Sequence, residues 1–187
     1  MANRDAPNGF APVGMLGGGM PVPVRKFPLL STHVRCGIGD VMEVLDGGTV
    51  DVDDDASTTP QKIVGVCVAI YDSNGVRIGA PNSSVATKYI TASAGGFVDV
   101  ALAVAGAVFR AQSAGSVTEV DRFSGADHNN TTCDTTTGLS VMELAEGAQG
   151  NFLIIDKVDE PGNAWGTNVQ LLVIPGESYF VPVRAGV

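Results

Sequence analysis

The chain reads as short apolar stretches separated by breaks rich in glycine, proline and asparagine. VMEVL from Val41 and TVDVD from Thr49 alternate apolar with polar positions around Asp46-Gly47-Gly48, the pattern of a β-hairpin. KIVGVCVAIY, from Lys62 to Tyr71, is almost continuously apolar and predicts a strand buried on both faces. Ser73-Asn74-Gly75 supplies the next turn, ahead of the short VRI. Further strands are predicted at 88–91, 97–104, 108–112, 140–144, 152–158, 169–174 and 179–183. One short helix is predicted after Ser116, because Ser116 and Glu119 have capping-box spacing and Val117, Val120 and Phe123 then share a face. Asp127 to Thr137 is polar and carries no period. Roughly ten short strands with almost no helix predict an all-β fold: a β-sandwich, or a jelly-roll or barrel-like core of short antiparallel strands.

Residues 1–30 break that pattern. Gly17, Gly18 and Gly19 are followed by Pro21, Pro23 and Pro28, which disfavour a helix and a central strand alike. Yet the segment carries Phe10, Met15, Leu16, Met20, Val22, Val24 and Phe27, more apolar surface than a disordered linker holds. The expectation is an extended N-terminal arm over 1–30 that lies on another surface, followed by a single β-rich core domain over 31–187. Fully extended, such an arm reaches roughly 100 Å.

Composition sharpens this picture. With 24 Gly, 10 Pro and only 11 Lys and Arg in 187 residues, strands and turns are favoured over long amphipathic helices. The net charge of −9 repels phosphate backbones, and no Lys/Arg stripe with interleaved aromatics offsets it, so direct nucleic-acid binding is not expected. The first thirty residues hold no continuous apolar run of a secretory signal. The most apolar stretch, Val98 to Val108, contains Asp99 and is too short to span a bilayer, so no membrane partner is expected. Cys36, Cys67 and Cys133 are odd in number and far apart, which argues against a disulfide framework and for folding in a reducing cytoplasm.

Candidate chemistry is sparse. Asp51-x-Asp53-x-Asp55 opens like a calcium loop, but Ala56 stands where the sharp turn needs glycine and Lys62 where a bidentate glutamate is needed. His33 with Cys36, and His128 with Cys133, offer two pairs of zinc-ligand types, although nothing in the sequence brings the pairs together. The plainer reading makes Cys36 and Cys67 small core residues and both histidines surface residues. Ser140, in GLSVM, lacks the second glycine of a nucleophile elbow, and Cys133 near His128 has no evident orienting group. GMLGGG in the arm lacks the Lys-Ser/Thr of a phosphate loop. No catalytic residue, metal or cofactor is therefore expected.

The last third of the chain runs TTTGLSVMEL from Thr135, then NFLIIDKV, DEPGNAWG, NVQLLVIP and ESYFVPV. This order of blocks, together with the opening MANRDAPNGFAPVG, resembles a family of small tailed-phage virion proteins that decorate or cement the icosahedral head. The two matches cover both ends and about half of the chain. Pro161, Gly162, Asn163 and Gly166 match a Pro-x-Asn-x-x-Gly-like step of that family, whereas Trp165 is not carried over from it. Trp165 either covers the core from its loop or, with Asn163, anchors a contact between subunits.

The resemblance implies a non-enzymatic structural protein, made in the host cytoplasm and located on the outer capsid surface of the virion. Its partners would be the major capsid protein, gripped through the apolar arm residues, and further copies of itself, a trimer being favoured over a dimer. The alternative is a virion-associated carbohydrate-binding β-sandwich adhesin, for which one Trp and three Tyr are a poor supply of sugar-stacking surface.

Overall fold

The computed structural model describes residues 3–45, 47–53, 63–79, 88–129, 133–146, 150–176 and 178–181. Most of the acidic loop and the Asp55, Ala56 and Lys62 positions of the calcium-like spacing lie outside them. So do residues 182 and 183 of the last predicted strand.

The fold is all-β and has two main sheets. Five strands close a small barrel: β2 (Val24–Leu29), β3 (Val41–Val44), β4 (Val50–Val52), β5 (Ile63–Tyr71) and β6 (Gly96–Leu102), in the order β2-β4-β3-β5-β6. All neighbours run antiparallel except β2 and β4, which meet in parallel at Leu29 and Val50 and so close the ring. Six strands form an antiparallel sheet: β1 (Ala11–Met15), β7 (Ala107–Gln112), β9 (Gly125–His128), β10 (Leu144–Glu146), β11 (Phe152–Lys157) and β13 (Gln170–Pro175). Their order is β1-β7-β13-β11-β9-β10. A two-stranded ribbon pairs β8 (Ser116–Val117) with β12 (Gly166–Thr167).

One core serves both sheets. Val41, Val66, Ile70 and Val100 from the barrel join Phe109, Phe152, Ile154 and Leu171 from the six-stranded sheet in a single buried cluster. β5 is apolar almost throughout because seven of its nine residues are buried, the burial of a strand covered on both faces. The predicted β3–β4 hairpin forms, with Met42 opposite Val52 and Val44 opposite Val50.

Residues 3–30 are not a free arm. β1 pairs with β7 at the edge of the six-stranded sheet, and β2 runs along β6 in the barrel from Val24 opposite Ala101 to Leu29 opposite Gly96. The prolines are accommodated because both strands have open flanks. β1 has β7 as its one sheet neighbour, and β2 meets β4 only at Leu29. The predicted boundary at residue 30 therefore falls at the end of a barrel strand.

The predicted helix is also corrected. Ser116 and Val117 form β8, and only Glu119–Asp121 make a single 3-10 turn. Its start is set by Thr118, whose N–H and hydroxyl donate to the Asp121 carboxylate at 2.6 and 2.7 Å. The predicted strands near 90 and 180 are reduced to isolated bridges, Cys36 with Ile90 and Ser178 with Val181. β9 occupies part of the stretch that showed no period, and the strand predicted at 140–144 begins only at Leu144.

Candidate functional site

The residues with chemical potential gather where the barrel meets the six-stranded sheet. The loop 36–40 lies along β5, with the Gly39 N–H donating to the Cys67 carbonyl (2.8 Å) and the Cys67 N–H to the Asp40 carbonyl (2.9 Å). This turns the Asp40 carboxylate inward, where Oδ2 accepts from the Gly37 N–H at 2.7 Å. The Ser140 hydroxyl lies beside the same carboxylate and favours its charged form. Ser140 is held by its own N–H to the Ile38 carbonyl (2.7 Å), and its Oγ accepts from the Met142 N–H (3.1 Å). Gly9 packs directly on Ser140 at a φ of +66°, a close approach that a Cβ would prevent.

Across the seam, His128 at the end of β9 faces the end of β4. Its Nε2 lies 3.1 Å from the Asp53 carbonyl oxygen and 3.7 Å from Asp53 Oδ2, while Nδ1 lies 3.3 Å from Asp127 Oδ1. Burial pushes the Asp40 carboxyl up to about 7, against the opposing pull of Ser140, the Gly37 N–H and His128. Burial also acts to lower His128, but Asp127 and Asp53 outweigh it and hold the imidazole above its ordinary value. The Cys36 thiol is raised by its hydrogen bond with Cys67 and by burial, and Cys133 is pushed up to about 12, chiefly by burial.

This cluster is sealed. Cys36, Cys67 and Cys133 are buried core thiols, as are the side chains of Asp40, Asp53 and Ser140 around them. His33 and His128, expected on the surface, are each 1% exposed. The sequence could not place His128 inside, because Asp53, which its ring faces, lies 75 residues away along the chain. No three His, Cys, Asp or Glu among the described residues are arranged to hold a metal ion. A thiol raised to about 12 carries almost no thiolate at neutral pH, so Cys133 is a poor nucleophile where it stands.

The two sequence blocks at opposite ends of the chain meet at another corner. The Asn3 side chain donates to the carbonyls of Ala164 (2.8 Å) and Thr167 (2.9 Å) and accepts from the Ala164 N–H (3.0 Å). Asn163 closes its turn from within, donating to the Val158 and Gln170 carbonyls and accepting from the Gln170 N–H, all within 2.9 Å. Its side-chain amide is thus committed to the turn. Beside this corner lies a cleft of about 310 Å³ whose walls include Arg4, Asn8, Arg110, Glu160 and Asn168. Among the described residues no aromatic side chain lines it, so these walls offer no stacking surface for a sugar.

The apolar residues of 1–30 divide into two groups. Phe10 and Val22 are buried, Phe10 stacking on Phe152 at 4.8 Å, and Met15 and Phe27 pack half-buried against the core. These four pack against the core of this chain, Phe10 and Val22 leaving little surface for the partner contact expected of them. Leu16 (62% exposed), Met20 (66%) and Val24 (43%) remain on the surface, joined by Val13 (59%). Leu16 and Met20 flank the Gly17–Gly19 tip between β1 and β2, held by the Met15 N–H to the Met20 carbonyl and the Leu16 N–H to the Gly106 carbonyl.

A second exposed apolar point was not foreseen. Val117, Val120 and Phe123 do not share a face: Val117 is buried, while Val120 is 87% and Phe123 75% exposed. Next to them, the Arg122 guanidinium lies 5.3 Å from the centre of the Trp165 ring, and Trp165 packs half-buried on the core. Comparison with protein-family models, curated proteins and solved structures finds no match.

Proposed function

We propose that this chain is a structural virion protein that decorates and cements the outside of an icosahedral tailed-phage capsid, bridging major capsid protein subunits and stiffening the shell against internal DNA pressure. The observation that carries the reading is the corner built by Asn3 and the 158–170 turn. The opening block and the EPGNAWG block, which together carry the family resemblance, are one hydrogen-bonded unit despite a separation of about 160 residues.

Two further features support it. The ionisable and nucleophilic side chains of the seam are closed off from any ligand, whereas Val13, Leu16, Met20 and Val24 face outward on a rigid framework. An acidic chain suits a shell exterior that has no need to touch the genome. In this reading the apolar tip at Leu16 and Met20 grips the major capsid protein. Several copies act together, in a closed homo-oligomer for which a trimer is favoured.

The experiment is the copy number of this chain in purified virions, by quantitative mass spectrometry against the major capsid protein. Hundreds of copies in a near-integer ratio are expected. A handful per particle would overturn the cement reading in favour of a vertex or tail adhesin.

A further inference from the structure

The 118–124 turn is an unusual piece of surface. Phe123 has a φ of +67°, a left-handed conformation that a bulky side chain rarely adopts and that asparagine or glycine adopts readily. A residue chosen for folding alone would not be phenylalanine at that φ, with three quarters of its surface in water.

The turn is nevertheless tightly held. Phe123 N–H donates to the Ile154 carbonyl at 2.7 Å, and Ile154 N–H returns a bond to Ser124 at 3.1 Å, tying the turn to β11. Asp121 accepts from both Thr118 groups. Arg122 is braced by Glu119 at 2.8 Å, by Asp156 at 2.9 Å and by the face of Trp165. Val120 and Phe123 are therefore presented outward from a fixed knuckle, which lowers the entropic cost of docking them. Phenylalanine beside a Trp–Arg stack is the residue set on which binding energy concentrates at interfaces.

We infer that the Val120–Phe123 knuckle is a second anchoring point, one that inserts into an apolar pocket with a basic rim on the major capsid protein. The charge around the knuckle selects this occupant. Among the described residues, Glu119, Asp121 and Asp156 outnumber the cations Arg122 and Lys157 beside them, which leaves the rim acidic and suits a Lys- or Arg-lined pocket. A second copy of this chain, itself at −9, is a poor electrostatic match.

The inference rests on the capsid reading and gives it a geometry. The knuckle leads directly into β9, whereas the Leu16–Met20 tip extends β1, and these strands are four places apart in the six-stranded sheet. At about 4.8 Å per strand, the two strands that carry the anchors lie roughly 20 Å apart. Two separated anchors on one rigid body are what a bridge between neighbouring subunits requires.

The test uses the full chain and capsids purified without it, with binding measured by co-sedimentation and stability by thermal unfolding. Phe123→Asn is expected to weaken capsid binding by at least ~10-fold while its Tm stays equal or rises, because the left-handed strain is relieved. Val120→Ser, at a site too exposed to matter for folding, is expected to weaken binding as well. Wild-type binding is expected to fall as salt is raised.

Unchanged binding by both variants, or a Tm lowered by Phe123→Asn, would overturn the knuckle and leave the capsid reading standing. Dissociation of a homo-oligomer by Phe123→Asn with capsid binding intact would assign the knuckle to a second copy and equally overturn the proposal. Failure of the wild-type chain to bind capsids would sink both.

Discussion

The seam between barrel and sheet and the two outer flanks of the sheet handle polarity in opposite ways. At the seam, two carboxylates, a histidine, a hydroxyl and three thiols are packed out of reach of water. At the flanks, Leu16, Met20, Val120 and Phe123 stand in it. The difference separates residues that could do chemistry from residues that can make contact. Polar groups buried with their partners fix how two layers fit together, since a misplaced layer would strand them without hydrogen bonds. Apolar groups left outside add nothing to the core and are available for another surface.

The contrast breaks most completely if the first thirty residues are removed. Deletion of 1–30 takes away barrel strand β2, edge strand β1 and the Phe10 stack on Phe152, so the remaining chain is expected to be insoluble or unfolded. A soluble, cooperatively melting product in circular dichroism would show that the seam assembles without them.

A smaller but sharper effect is expected from pH. The folded protein keeps a proton on Asp40 up to about pH 7, while the unfolded chain gives it up near the ordinary value of 3.8. The stabilisation from this group is thus complete below pH 4 and is lost as the pH rises to 7, by up to about 4 kcal/mol. His128, raised above 6.5, adds a loss of the same sign as the pH climbs through its folded value. Asp156, lowered by Arg122 against the opposing effect of burial, works the other way and weakens the fold only in the acid below its ordinary range.

Asp40→Asn keeps an oxygen for the Gly37 N–H and removes the charge. It should flatten the stability profile between pH 4 and 7 in denaturant titrations and leave the His128 slope above it. An unaltered profile would mean that Asp40 ionises freely.

The smallest effect on folding is expected at the tip. Leu16→Ser combined with Met20→Ser should change stability by no more than about 0.5 kcal/mol. The same double variant should still bring down the fraction of chain retained on capsids. Stability unchanged and retention unchanged would take the β1–β2 tip out of the interface.

How legible each part was follows from how local its cause is. β5 announced itself because burial on both faces forces an uninterrupted apolar run, and β3–β4 because a Gly-Gly turn sits between two alternating segments. β1 and β2 were masked by Gly17–Gly19 and by Pro21, Pro23 and Pro28; Pro28 is tolerated because β2 meets β4 only at the neighbouring Leu29, a fact of strand pairing that no window of sequence contains. The capping-box spacing of Ser116 and Glu119 was misleading: the cap that forms uses Thr118 and Asp121, two residues further on. The seam was hidden for a different reason. Asp40, Asp53, His128 and Ser140 come from four separate stretches, and each alone looks like an ordinary loop residue. Trp165 was legible as a point of interest, but its partner Arg122 was not.

The bond between Asn3 and the 164–167 turn also orders events in time. The barrel can close once Leu102 has left the ribosome, since its last strand ends there. β1 must wait for β7, and Asn3 must wait until Thr167 has been made, so the segment that precedes the barrel is locked after the barrel itself can close. A chain halted short of that point carries an unfastened beginning, with Phe10 lacking the Phe152 ring it stacks on. The opening segment and that turn fasten each other, so only a chain translated through the turn can present a finished corner.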